Sequence, residues 1–326
     1  MTAQNSSTET NSTPLLRDEA NGAPPHISVC ICTFRRPELL ARLLAGLLKL
    51  QGNHELFTFS CVVIDNDEKG SAAEVVSSFQ NSGGLEIIYQ CEPERNFAVV
   101  RNRVVRQAKG QYVAFIDGDE VPVDCWLSEL YRAMLHFEAD GVLGPVRPYF
   151  DSSPPAWITK GRLCERPAHP TGMELDWRQT RTGNVLLKKS IFDISNILFD
   201  PAFRTGGEDV DFFRRAMKKG RRFVWCEEAA AYELVPPERC CKSYFLKRAL
   251  LQGRISLKYA AEKPSLCTWL QVGTKSTIAI FGYTLMLPFL FLSGYGTLMK
   301  YLIKDCHHLG RLLALLRVPI LEERNL

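Results

Sequence analysis

The chain has 326 residues, 46% of them hydrophobic and 23% charged, which is enough for one large α/β domain with an appendage or for two modest domains. Lys and Arg outnumber Asp and Glu by 40 to 36, and a net charge of +4 is too small to mark a nucleic-acid binder. The eleven cysteines lie singly in apolar stretches or side by side as Cys240 and Cys241, a spacing that excludes a zinc finger and points to reduced thiols in a cytosolic setting.

Residues 1–25 are rich in Ser, Thr and Asn and lack the basic start and apolar core of a signal peptide, so they are expected to form a disordered tail. From Ile27 onward, apolar runs alternate with helical periodicity. The predicted order is strand Ile27–Cys32, helix Pro37–Leu50, strand Phe59–Ile64, helix Ser71–Phe79, strand Leu85–Gln90, helix Phe97–Ala108, strand Tyr112–Ile116, helix Trp126–Phe137 and strand Val142–Val146. This alternation is the signature of βαβ units, hence an α/β fold with a mostly parallel central sheet flanked by helices. Cys30 and Cys32 fall on one face of the first strand and read as core side chains rather than a redox pair.

Ligands of open α/β sheets sit beyond the carboxyl ends of the strands. Those ends are polar here: Thr33-Phe34-Arg35-Arg36-Pro37, Asp65-Asn66-Asp67, Glu92-Pro93-Glu94-Arg95-Asn96 and Asp117-Gly118-Asp119-Glu120. Asp117 and Asp119 offer hard oxygen ligands for Mg2+ or Mn2+ around a glycine that lets the backbone turn, although the same residues also make ordinary turns. No Gly-x-Gly-x-x-Gly follows the first strand and no Gly-Lys-Ser/Thr loop occurs, which argues against a dinucleotide-binding domain and a P-loop nucleotidase.

Further along, Thr182-Gly183-Asn184 turns into an apolar run, and Gly206-Gly207-Glu208-Asp209 opens a helical pattern that extends to Met217. Acids at that position either complement the helix dipole or, brought close to a substrate by the flexible glycines, act as a general base. Residues 241–254 form a basic amphipathic stretch, its cations either solvated or set against phosphate or lipid headgroups. Residues 276–294 are uncharged and close to the length of a bilayer span, with a buried helix, a kinked span and a re-entrant segment all open; residues 309–317 read as an amphipathic surface helix.

Taken together, Ile27-Ser28-Val29-Cys30-Ile31-Cys32-Thr33-Phe34-Arg35-Arg36-Pro37, Asp65-Asn66-Asp67, Arg101-Asn102, Asp117-Gly118-Asp119 and Gly207-Glu208-Asp209 resemble the inverting family 2 glycosyltransferases of GT-A fold. Val142–Arg147, Arg181–Asn184, Gly206–Phe213 and Val235–Arg239 are similar to the succinoglycan-type β-1,4-glucosyltransferases of bacterial exopolysaccharide assembly. The resemblance covers residues 27–254. It implies a catalytic domain over 26–235, a basic helical region over 236–275 and a membrane-associated segment over 276–326. It also implies transfer of one sugar, expected to be glucose, from a UDP-sugar to a polyprenyl-diphosphate-linked oligosaccharide at the cytoplasmic face of the inner membrane. Another lipid or lipopolysaccharide acceptor, or a catalytically silent nucleotide-sugar-binding subunit, are the alternatives.

In the roles that the resemblance carries over, Thr33, Arg35, Asp65 and Asp67 hold the nucleoside, with Asp65 the expected base contact. Arg101 and Asp117 lie near the donor, Asp119 leads the metal ligands with Asp117 beside it, and Asp209 is the general base, assisted by Glu208. Gly183, Asn184, Arg248 and Gln252 are assigned to the acceptor. One departure stands out: where relatives place a metal-binding His, this chain has Tyr232, followed by Glu233 as a substitute ligand.

Overall fold

The computed structural model describes residues 24–50, 56–203, 206–260 and 266–318. The expected tail over 1–25 therefore lies outside the described residues, except for Pro24 and Pro25. Strand β1 (His26–Thr33) sits inside a seven-stranded sheet, paired in parallel with β2 (Thr58–Asp65) and β4 (Tyr112–Asp117). Outward from β2 lies β3 (Ile87–Cys91); beyond β4 come β8 (Asn184–Lys188), β6 (Gly141–Leu143) and β9 (Phe223–Trp225), with β8 antiparallel to both its neighbours. The mostly parallel sheet is as expected.

The side-chain alternation of β1 divides the core in two. Ile27, Val29 and Ile31 face one layer with Leu40, Leu43, Leu44 and Leu47 of α1 (Pro37–Lys49) and Trp126, Leu127 and Leu130 of α4 (Trp126–His136). Cys30 faces the other, with Val100, Val104 and Val105 of α3 (Phe97–Gln107) and Phe212 and Phe213 of α7 (Glu208–Lys218). Helix α2 (Ala73–Asn81) adds Val76 to the first layer. Burial pushes the Cys30 thiol well above its usual range and that of Cys32 up to about 12, the behaviour of core side chains.

Two expectations need correction. The single strand predicted over Val142–Val146 is two: β6 ends at Leu143, and β7 (Val146–Tyr149) joins a separate sheet with β5 (Glu120–Pro122) and β10 (Ala231–Leu234). The break falls at Gly144-Pro145, where a Cβ on Gly144 would lie 2.1 Å from the Ala229 carbonyl oxygen, so only glycine permits the crossing. The helix predicted over 309–317 is the end of a much longer one, α10 (Tyr295–Leu315), which packs along α8 (Lys242–Ala260) and reaches α5 (Ala156–Gly161). The short helix α6 (Ser190–Asp193) follows β8, and α9 (Leu266–Leu292) carries the apolar run.

Candidate active site

The carboxyl ends of β1, β2 and β4 gather the polar turns on one rim, because parallel strands in register finish together: Thr33 pairs with Asp65, and Cys32 with Asp117. At the ends of β1 and β2, Asp67 accepts from Arg35 at 3.3 Å, and this guanidinium holds its carboxyl below the usual range. Arg35 stands in the left-handed region at φ 52°, with its guanidinium 5.0 Å from the centre of the half-open Phe34 ring. Thr33 is buried beside Gly118, where a Cβ would meet its side chain at 3.4 Å.

Asp65 is a correction. Its carboxylate has no exposed surface: one oxygen accepts from the Asp67 amide at 3.0 Å, the other from the Ala72 amide at 2.8 Å and the Tyr89 hydroxyl at 3.1 Å. It holds the 65–72 turn from within, and Asp67 is the acid of this turn that meets Arg35.

At the end of β4 the acids crowd together. Burial pushes the Asp117 carboxyl up to about 6 against the opposing pull of Arg101, with 43% of its side chain still open to the rim. Asp119 is raised by burial and by Glu233, and it is neutralised by Arg36 at 2.5 Å and Arg239 at 3.9 Å. Glu120 is fully buried and raised well above its ordinary value by desolvation; its Oε2 accepts from the Asp117 amide at 3.3 Å, and its Oε1 has no hydrogen-bond partner among the described residues.

Glu233 sits opposite Glu120 in the β10–β5 ladder and is clasped by Arg166 and, at 2.9 Å, by Arg239. Glu233, named in sequence as a substitute metal ligand, is thus paired with two guanidinium groups, and Arg36, Arg166 and Arg239 had no role assigned from sequence. Tyr232, one residue earlier on the strand, is partly exposed.

Gly183 makes this crowding possible. Its carbonyl accepts from the Asp117 amide at 3.3 Å, and a Cβ there would lie 2.9 Å from Glu120 Oε1 and 3.2 Å from Asp117 Oδ2. Asn184 takes no part in the rim. Its amide donates to the carbonyls of Pro145 and Ala229 at 3.1 and 2.7 Å and accepts from the Trp126 indole at 2.7 Å, so its assignment to the acceptor is replaced by a role as a core brace. Arg248 and Gln252 lie on α8, Arg248 donating to the Tyr244 hydroxyl at 3.0 Å and Gln252 open to solvent. The same helix sends Ile255 to the turn before α7, 3.6 Å from where a Gly206 Cβ would stand.

Gly206 and Gly207 adopt φ values of 128° and 92°, a backbone path that brings Glu208 and Asp209 in as the first residues of α7. Glu208 is buried in an ion pair with Arg101, whose other terminal nitrogen lies 3.8 Å from Asp117. Arg101 thus ties the end of β4 to the start of α7. Helix α3 secures this tie through two further residues: Asn102 exchanges hydrogen bonds with the Phe199 amide and carbonyl at 2.9 and 2.8 Å, and Asn96 donates to the Pro201 carbonyl at 3.1 Å while capping its own helix. Asp209 is half-exposed, with Oδ1 accepting from the next amide at 2.7 Å.

Among the described residues, no group of three or more His, Cys, Asp or Glu forms a ready metal cage. The all-oxygen donor set of Asp117 and Asp119 nevertheless fits Mg2+ or Mn2+, which commonly rely on one or two carboxylates completed by substrate phosphates and water.

Residues 28–198 match the family described as Glycosyl transferase family 2. The succinoglycan biosynthesis protein ExoM of Rhizobium meliloti is 30% identical over 239 residues, covering 73% of this chain and 76% of that protein. The hyaluronan synthase of Pasteurella multocida is 26% identical over 65% of this chain, which spans 25% of that relative's length. The mannosyltransferase PcManGT of Pyrobaculum calidifontis, solved with GDP-Man and Mn2+, has a TM-score of 0.60 at 15% identity and is covered over 90% of this chain and 87% of that one. S. aureus TarS in complex with UDP has a TM-score of 0.52 at 15% identity, over 88% and 90% of the two chains. These two structural likenesses concern the fold.

Proposed function

The chain belongs to glycosyltransferase family 2, and from that premise we propose that it moves one sugar, glucose in our reading, from a UDP-sugar to a polyprenyl-diphosphate-linked oligosaccharide. The transfer inverts the anomeric carbon and serves exopolysaccharide assembly at the cytoplasmic face of the membrane. The single observation that carries this reading is Arg101, one guanidinium paired both with Asp117 at the end of β4 and with Glu208 beside Asp209. This pairing supports a donor site and a base coupled on one rim.

In this mechanism, Thr33, Arg35 and Asp67 receive the nucleoside. Asp119, with Asp117 beside it, would hold the divalent cation; when bound, the cation supplies neutralisation of the leaving diphosphate. Arg36 and Arg239 balance the charge of Asp119 and would add positive charge beside the leaving diphosphate. Asp209 accepts the proton of the acceptor hydroxyl; the oxygen bonds to the anomeric carbon from the face opposite the diphosphate, the bond to the donor phosphate breaks, and UDP departs. A single carboxylate suffices because inversion requires no covalent enzyme intermediate. Glu208, held by Arg101, positions Asp209 and stays out of the proton transfer.

The test is a panel of nucleotide-sugars offered to the purified protein with Mn2+ or Mg2+ and again with EDTA. Metal-dependent selection of one UDP-sugar supports the reading and names the sugar. No binding to any donor by folded protein would overturn it, and binding without transfer to any acceptor would favour the catalytically silent nucleotide-sugar-binding subunit.

A further inference from the structure

Helix α9 is the one described helix long and apolar enough to cross a membrane, and only about a tenth of its most apolar stretch is buried. Leu266, Leu270, Ile278, Phe281, Leu285, Phe289 and Leu292 are all exposed and recur at helical spacing along one side. The opposite side packs on α10, through fully buried Ser276 beside His308 and Tyr283 against Tyr301. A water-soluble surface rarely leaves such a line bare.

The direction of α9 follows from its neighbours. It runs antiparallel to α10 along its length: Gly273 lies near Leu315, Ser276 near His308, Thr284 near Asp305 and Tyr283 near Tyr301. Helix α10 in turn is fastened to the rest of the protein at both ends. A Cβ on Gly296 would lie 2.8 Å from the Gly161 amide nitrogen of α5, and one on Gly310 would lie 2.1 Å from the Leu250 carbonyl of α8.

If α9 crossed the bilayer, α10 would cross with it. Asp305, hydrogen-bonded to Thr284 at the middle of the apolar run, would then sit at the bilayer centre with Lys304 and the His307-His308 pair close by, where ionisable side chains are costly. Lying flat, the same hairpin keeps those groups at headgroup level.

We propose, building on the reading of a membrane-associated transferase, that α9 does not span the membrane but lies in its plane, with its exposed apolar line sunk into one leaflet. Charge identifies the partner as an anionic lipid surface. Helices α8, α9 and α10 together carry nine Lys and Arg and one acid, Asp305, a balance that attracts anionic headgroups and suits an interfacial helix. Because α8 also sends Ile255 to the turn that carries Asp209, the embedded face and the candidate base share one structural unit, which suits an acceptor whose lipid end stays in the leaflet.

Two measurements on the full chain test this. In the first, the protein is floated with phosphatidylcholine–phosphatidylglycerol vesicles beside the variant F281E/L285E/F289E, which alters three exposed side chains outside the candidate site. We expect at least tenfold less vesicle-bound variant, with its affinity for UDP unchanged. In the second, sealed inside-out membrane vesicles from cells producing the S293C variant are treated with an impermeant maleimide, and labelling is read peptide by peptide at Cys267 and position 293. Both ends of α9 should label from the side that bears the catalytic domain. Labelling of position 293 only after the vesicles are opened would make α9 a span, overturning this inference while leaving membrane association intact. Flotation that survives the triple substitution would remove α9 as the contact. Failure of the unaltered chain to float would overturn the membrane reading itself.

Discussion

Asp209 opens α7 half-exposed, whereas Glu208 beside it is buried against Arg101. This difference in surroundings separates their roles: an open carboxylate can receive a proton from a substrate, and a buried, paired one can only hold position. Asp209→Asn is therefore expected to bind UDP-sugar with unchanged affinity in calorimetry while losing at least about a hundredfold in turnover, the range over which general bases contribute. Asp119→Ala should lose the metal-dependent part of donor binding and leave Arg36 and Arg239 without their shared anion, so that the difference in affinity between Mn2+ and EDTA disappears. Asn102 belongs to a different class. Its amide answers both backbone groups of buried Phe199, and Asn102→Ala should cost about 2 kcal/mol in denaturant unfolding by orphaning them.

At the scale of elements, the close meeting of α8 and α10 depends on Gly253 and Gly310. A Cβ on Gly253 would lie 2.0 Å from the His307 carbonyl, so Gly253→Ala should push the helices apart and lower stability by about 1–3 kcal/mol, read as an earlier thermal transition. Nothing in the local periodicity of either helix foretells that contact. By contrast, α1, α3, α4 and strands β1, β2 and β4 were legible to within a residue or two, because each buries a repeat that the sequence displays directly: the leucine stripe of α1, for example, is the core. Strand β7 was missed although Gly144-Pro145 interrupts the run over 142–146 with a turn signal; a strand was read straight through it, whereas the close approach of Ala229 to Gly144 marks where the chain crosses to a second sheet. The arginines around the acids were hidden for a different reason: Arg36 meets Asp119 across 83 positions and Arg166 meets Glu233 across 67, so no spacing rule connects them. In sequence Asp65 was the expected base contact; both acids are buried, and their partners separate them, Asp65 accepting from the backbone of its own turn and Asp67 from Arg35.

Across the whole molecule, the parallel strands bring the acids to one rim, α3 links that rim to the start of α7, and α8 extends from the same turn to an apolar helix pair. This arrangement has one candidate base, Asp209, and Glu208 is tied up by Arg101. The chemistry expected of it is a single displacement. The measurement that bears on this most directly is the anomeric configuration of the product formed from an α-linked UDP-sugar, read by proton NMR as the reaction proceeds. A β-linked product from the first turnover is predicted. An α-linked product would require a second nucleophile or a different course of reaction, and would contradict the single-carboxylate mechanism.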